Sequence, residues 1–204
     1  MSRKRAVIFI SGSGSNMVAL VDAARAADYP VDIIGVFSDK ATAGGLAKAE
    51  AAGVNTFVFE RKAYASKAEH EQAILDALKT LSPDLICLAG YMRLLSAEFI
   101  QAYENRILNI HPSLLPLFPG LHTHQRAIDA GMKVSGCSVH IVTAGMDEGP
   151  VLAQAAVPVL EGDTEDALAA RVLRAEHRLY RATLAKFAGD AVDTDASAMT
   201  LSFG

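Results

Sequence analysis

Short runs of branched apolar residues alternate with longer stretches of helical period through the first half of the chain. The runs at 6–10, 31–38, 55–58, 85–89 and 107–110 predict strands, and the stretches at 17–27, 44–52, 65–81 and 97–103 predict helices. Apolar strands separated by amphipathic helices form a mostly parallel sheet covered on both faces, so the fold class is α/β, Rossmann-like. After His111 the pattern changes. Pro112, Pro116, Pro119 and Gly120 break any period, a short helix is predicted over 124–130, and strands follow over 136–142 and 151–159. These C-terminal strands are expected to run antiparallel, and the proline-rich stretch reads as a functional loop rather than a linker. An amphipathic helix over 164–187 closes the core, and 188–204 is a small-residue, acidic extension without period.

Composition narrows the classes. With 204 residues, 51% of them hydrophobic and 21% charged, the chain is large enough for one well-filled domain. A net charge of −4, with Lys and Arg scattered rather than clustered, gives no footprint for nucleic acid. No stretch approaches the roughly 20 apolar residues that span a bilayer, and the run after Arg5 is too short for an export signal. The expected compartment is the cytoplasm, away from membranes. Cys87 and Cys137 each sit in an apolar run and are too few for a disulfide framework or a four-cysteine metal site.

Three places carry candidate chemistry. Ser11-Gly12-Ser13-Gly14-Ser15-Asn16 joins the first strand to the first helix, where free amides and the helix dipole favour a phosphate. It is neither a Walker loop nor a dinucleotide fingerprint, since no Gly-Lys-Ser/Thr follows and Met17 stands where a third glycine would be. Along Ile107–His111 the side chains alternate, which puts Asn109 and His111 on one face at a strand end. An amide that donates to a developing oxyanion and an imidazole that moves protons suit acyl transfer. Asp147, in a turn between two strand-like runs, is the third; taken alone it is a turn residue, and beside His111 it would hold the imidazole charged. His122 and His124 read as solvent-facing loop residues, His140 first as a structural hydrogen-bonded histidine and second as a residue lining the site, and no nucleophile elbow occurs.

Together these signals resemble the folate-dependent formyltransferase family, in its glycinamide ribonucleotide branch. The resemblance runs from Val7 to about Phe187 and is anchored by Ile10 to Asn16, Leu88-Ala89-Gly90-Tyr91-Met92-Arg93, Leu108-Asn109-Ile110-His111-Pro112-Ser113, Phe118-Pro119-Gly120-Leu121-His122-Thr123-His124 and Gly136-Cys137-Ser138-Val139-His140. It implies one formyltransferase domain over 1–204, with a phosphate-binding half at about 1–104 and a catalytic and folate-binding half at about 105–187. It implies catalysis by Asn109, His111 and Asp147, with the acceptor phosphate and amine held by Gly14, Ser15, Asn16, Pro112 and Glu176. The folate pocket would be lined by Met92, Arg93, Leu94 and Leu95, by Asn109, and by Thr143, Ala144, Gly145, Met146 and Asp147, with Lys67 gripping the glutamate tail. Lys67 stands where relatives often carry Arg, and Ala144-Gly145 where many carry acidic residues, so side-chain contacts to the folate are expected to differ at both places.

The implied reaction is formyl transfer from 10-formyltetrahydrofolate, a co-substrate, to the amine of glycinamide ribonucleotide in purine synthesis. No metal is expected, the partners are these small molecules, and the protein is expected to be a monomer or homodimer. Two rivals remain at this level. One is a formyltetrahydrofolate deformylase-like hydrolase, disfavoured because the first strand starts too early to leave room for a preceding regulatory domain. The transfer-RNA enzyme is disfavoured likewise, because the chain ends soon after its last helix. The other rival is a non-catalytic nucleotide-binding module that uses only the Gly14 turn.

Overall fold

The protein is described by a computed structural model over residues 2–189; the expected extension from residue 190 onward lies outside the described residues. The elements are β1 (Lys4–Ile10), α1 (Ser15–Ala24), β2 (Val31–Ser38), α2 (Gly44–Ala51), β3 (Thr56–Val58), a single 3-10 turn (Arg61–Ala63), α3 (Lys67–Leu81), β4 (Leu85–Leu88) and α4 (Ala97–Ala102). They continue with β5 (Ile107–His111), α5 (Thr123–Asp129), β6 (Val134–Ile141), β7 (Val151–Pro158) and α6 (Glu165–Gly189). The sheet order is β3-β2-β1-β4-β5-β6-β7. β1 pairs in parallel with β2 and β4, β2 in parallel with β3, and β6 antiparallel with β7. The mixed α/β sheet expected from the sequence is thus the one observed. The chain forms two compact units, one from the residues up to Leu108 and one from Asn109 onward.

In the first unit the exposed charges of Lys4 and Arg5 give way to Ala6–Ile10, each 0% exposed. A strand apolar on both faces belongs at the centre of a parallel sheet, and β1 lies between β2 and β4. Phe9 stacks on Phe37 at 5.1 Å between ring centroids, Phe37 stacks on Phe57 at 4.8 Å, and Phe99 of α4 meets Phe9 edge-on at 6.2 Å. α1 starts two residues before the predicted helix because Gly14, at φ 69°, turns the chain directly into it. It stops at Ala24, three residues short of the predicted end, where Arg25 N and Ala26 N turn to the i−3 carbonyls of Asp22 and Ala23 at 3.3 and 3.2 Å and tighten the last turn. α3 is capped by Ser66, whose hydroxyl accepts from Glu69 N at 3.1 Å.

In the second unit α6 lays Leu168, Val172, Ala175 and Leu179 against β6 and β7, a spacing of three or four residues that keeps one helix face apolar. Its start is held by Arg171, which forks onto Asp163 at 2.7 and 3.0 Å and keeps that carboxyl down at about 2. No helix among the described residues is long and apolar enough to cross a membrane.

Candidate active site

The strand alternation of β5 makes the site. Asn109 is half-buried and His111 buried, with Leu108 and Ile110 turned to the opposite face and buried in the core. Asn109 Nδ2 lies 3.1 Å from His140 Nε2, while the other ring nitrogen of His140, Nδ1, lies 3.1 Å from the Ile141 carbonyl oxygen. A carbonyl only accepts, so Nδ1 carries the proton and Nε2 accepts from the Asn109 amide. Burial pushes the His140 pKa down, which fits the neutral ring this arrangement demands. Asp147 Oδ1, 3.7 Å from the same Nε2, therefore meets no proton there and makes no ion pair with His140.

His111 is paired differently. Its Nε2 donates to the Phe118 carbonyl oxygen at 3.1 Å, and its Nδ1 faces Asp147 Oδ2 at 3.5 Å. The same Oδ2 accepts from Gly120 N at 2.9 Å. The two side chains are only 8% and 13% exposed, so a proton on Nδ1 makes this a weakly screened ion pair. Asp147 sits in the left-handed region at φ 55°, which Asp tolerates better than most residues. Two residues on, a Cβ at Gly149 would lie 1.7 Å from the Ile141 carbonyl oxygen, so only glycine lets this turn close against β6.

The loop after His111 is tied down from below. Ser138, fully buried on β6, donates through Oγ to Ser113 O at 2.7 Å and accepts from Leu115 N at 3.0 Å and Gln154 Nε2 at 2.9 Å. Gln154 also donates to Leu115 O at 2.9 Å, and Ser113 Oγ to Leu117 O at 2.6 Å. Leu117, Leu121 and Met146 stand exposed on the surface of this unit. Thr143, Ala144 and Gly145 lead into Asp147 on the partly exposed loop after β6, and Pro112 follows β5 directly. Glu176 is buried midway along α6, and its charge adds to burial in pushing the Cys137 thiol up.

The remaining candidates belong to the first unit. Gly14, Ser15 and Asn16 form the start of α1. Met92 and Leu94 are 62% and 64% exposed, flanking Arg93, whose Nε donates to the fully buried Asp39 carboxylate at 2.7 Å. Met92 N is anchored by Ser11 Oγ at 2.8 Å, and Ser96 N by Glu71 Oε1 at 3.0 Å. Lys67 lies 3.6 Å from Glu71 Oε1, so part of its charge is already answered within α3. The structure thus brings Asn109, His111 and Asp147 together, and in the first unit it ties Met92 to Ser11, where the glycine turn begins, and Arg93 to Asp39.

Reasoning from sequence missed Phe118 O, Gly120 N and Asp39. The first two are backbone atoms without a residue signature, and Asp39 was signalled only by a charge directly after an apolar strand.

A crystal structure of phosphoribosylglycinamide formyltransferase from Brucella melitensis is 71% identical, with a TM-score of 0.90, covering 94% of this chain and 98% of that one. A glycinamide ribonucleotide transformylase from Symbiobacterium toebii is 48% identical at a TM-score of 0.89, covering 91% of this chain and 88% of that one. The Escherichia coli phosphoribosylglycinamide formyltransferase is 44% identical over 182 residues, which are 89% of this chain and 86% of that protein. The chain also matches the trifunctional purine biosynthetic protein adenosine-3 of Bos taurus at 44% identity, spanning only 19% of its length. A family model described as formyl transferase matches residues 4–184, and the chain belongs to that family.

Proposed function

We propose that this protein transfers the formyl group of 10-formyltetrahydrofolate to the amine of glycinamide ribonucleotide, yielding formylglycinamide ribonucleotide and tetrahydrofolate in purine synthesis. It works in the cytoplasm, as a monomer or homodimer, on these small molecules. The observation that carries the reading is the paired geometry at the end of β5, where Asn109 is pinned by His140 and His111 faces Asp147. In the net reaction a bond forms between the acceptor nitrogen and the formyl carbon, the bond from that carbon to N10 of the donor breaks, and the amine proton ends on N10.

Asn109 has a second Nδ2–H that His140 does not use, and this is the donor for the formyl oxygen as charge builds on it. His111 is the second donor, through the Nε2–H that Phe118 O holds in the resting structure. Asp147 faces the opposite ring nitrogen, keeps the imidazole charged while it donates, and passes the amine proton on through water. Met92 and Leu94 offer exposed apolar surface to a flat heteroaromatic ring such as a pterin, and Arg93, held by Asp39 through Nε, keeps both Nη groups for hydrogen bonding. Leu95 and the 143–147 segment complete the folate contacts, with Lys67 towards the glutamate tail, while Pro112 and Glu176 contact the acceptor. Gly14, Ser15 and Asn16 hold its phosphate.

Purified protein incubated with both substrates is expected to release tetrahydrofolate only when the amine is present. Equal release without it would replace the amine with water as acceptor and overturn the proposal.

A further inference from the structure

The turn proposed to hold the acceptor phosphate is shaped from behind by a second helix. Gly45 N donates to Gly12 O at 3.0 Å, Lys48 Nζ donates to Ser13 O at 2.8 Å, and Val18 N donates to Gly14 O at 2.9 Å. Gly45 and Lys48 both belong to α2. In a trans peptide the carbonyl of one residue and the N–H of the next point in opposite directions. Anchoring the carbonyls of Gly12, Ser13 and Gly14 therefore turns the N–H groups of Ser13, Gly14 and Ser15 the other way. Among the described residues, none of these three N–H groups donates to a protein acceptor. Consecutive unpaired amides at a helix start, one residue of them left-handed, make an anion-binding concavity.

Contact between the two backbones is close enough to fix who can stand there. A Cβ on Gly14 would lie 2.9 Å from Gly45 Cα, and one on Gly45 would lie 2.5 Å from Ile10 Cδ1. Lys48 is exposed, and its stem lines a cleft between α1 and α2 with Met17, Val21 and Ala51. Its ammonium is the one side-chain anchor in the set, and it grips the peptide whose other end is the Gly14 amide.

We propose that Lys48, with Gly45, is a positioning residue for phosphate recognition: it acts through the Ser13–Gly14 peptide and aims the Gly14 amide at the phosphate of the acceptor. This rests on the assignment of the glycine turn to that phosphate. Lys48→Met keeps the stem and removes the donor. It is expected to raise KM for glycinamide ribonucleotide about tenfold, the effect of one charge-assisted hydrogen bond, while kcat and the KM for the formyl donor stay within about twofold. Lys48→Arg, which restores a donor, is expected to recover most of the loss.

The deciding control is the acceptor without its phosphate, glycinamide riboside, on which parent and Lys48→Met are expected to have equal kcat/KM. If the variant binds the ribonucleotide as the parent does, or loses the same factor on both acceptors, Lys48 has no such role. If the parent itself fails to prefer the ribonucleotide to the riboside, the phosphate assignment falls, and this inference falls with it.

Discussion

Replacing Asp147 with Asn isolates the charge at the centre of the proposed mechanism. Asn tolerates the left-handed backbone that this position holds at φ 55°, and its side-chain oxygen can still accept from Gly120 N. What disappears is the negative charge 3.5 Å from His111 Nδ1, which at an effective dielectric of about 20 is worth about 5 kcal/mol with a protonated ring. Solvation of the free imidazolium returns part of that. A remaining loss of about 3–4 kcal/mol at the transition state is a fall of about 10²–10³ in kcat. The assay is steady-state release of tetrahydrofolate at saturating levels of both substrates, with each KM measured separately. Because the charge matters most when the formyl oxygen becomes an oxyanion, kcat should carry the loss and both KM values should move little. A variant that keeps kcat within about fivefold of the parent would refute the pairing as the source of catalysis.

Burial lowers the pKa of His140, His124 and His177 below the ordinary 6.5, so the unfolded chain takes up protons first as pH falls. Stability is therefore expected to be fully present above about 6.5 and to decline below it; denaturant unfolding from pH 7.5 to 5 should show that decline, and less of it in His140→Gln. Ser138→Ala strands Leu115 N and one Gln154 donor in a buried site, and is expected to cost about 1–3 kcal/mol, read as a lower melting temperature. Arg93→Met leaves the buried Asp39 carboxylate without its ion-pair partner; with Arg93 46% exposed, a loss of about 1–3 kcal/mol in chemical denaturation is expected, together with a raised KM for the formyl donor alone.

The parts of this site legible from sequence are those where residue type and local geometry coincide. Asn109 and His111 are two apart on an apolar strand, so the pleat alone puts them on one face, and β5 does so. The glycine turn was read as a phosphate cradle; the close approach of Gly45 Cα to Gly14 had no signal in the sequence. His140 was read as a structural histidine, and its partner is Asn109. By contrast, the anchors of Gly12 O and Ser13 O come from α2, a helix whose pattern announces only an apolar face. Backbone partners such as Phe118 O and Gly120 N depend on the path of a proline-rich loop that no period describes. Lys67 shows a third limit: its spacing of four from Glu71 was present in the chain, yet which of two roles the ammonium serves is a matter of competition, not of pattern.

Phe118 and Gly120 flank a single proline; the carbonyl of the first accepts from His111, and the amide of the second donates to Asp147. The imidazole and the carboxylate are thus tethered to neighbouring peptides of one short segment, so any substitution that displaces the segment is felt at both side chains together.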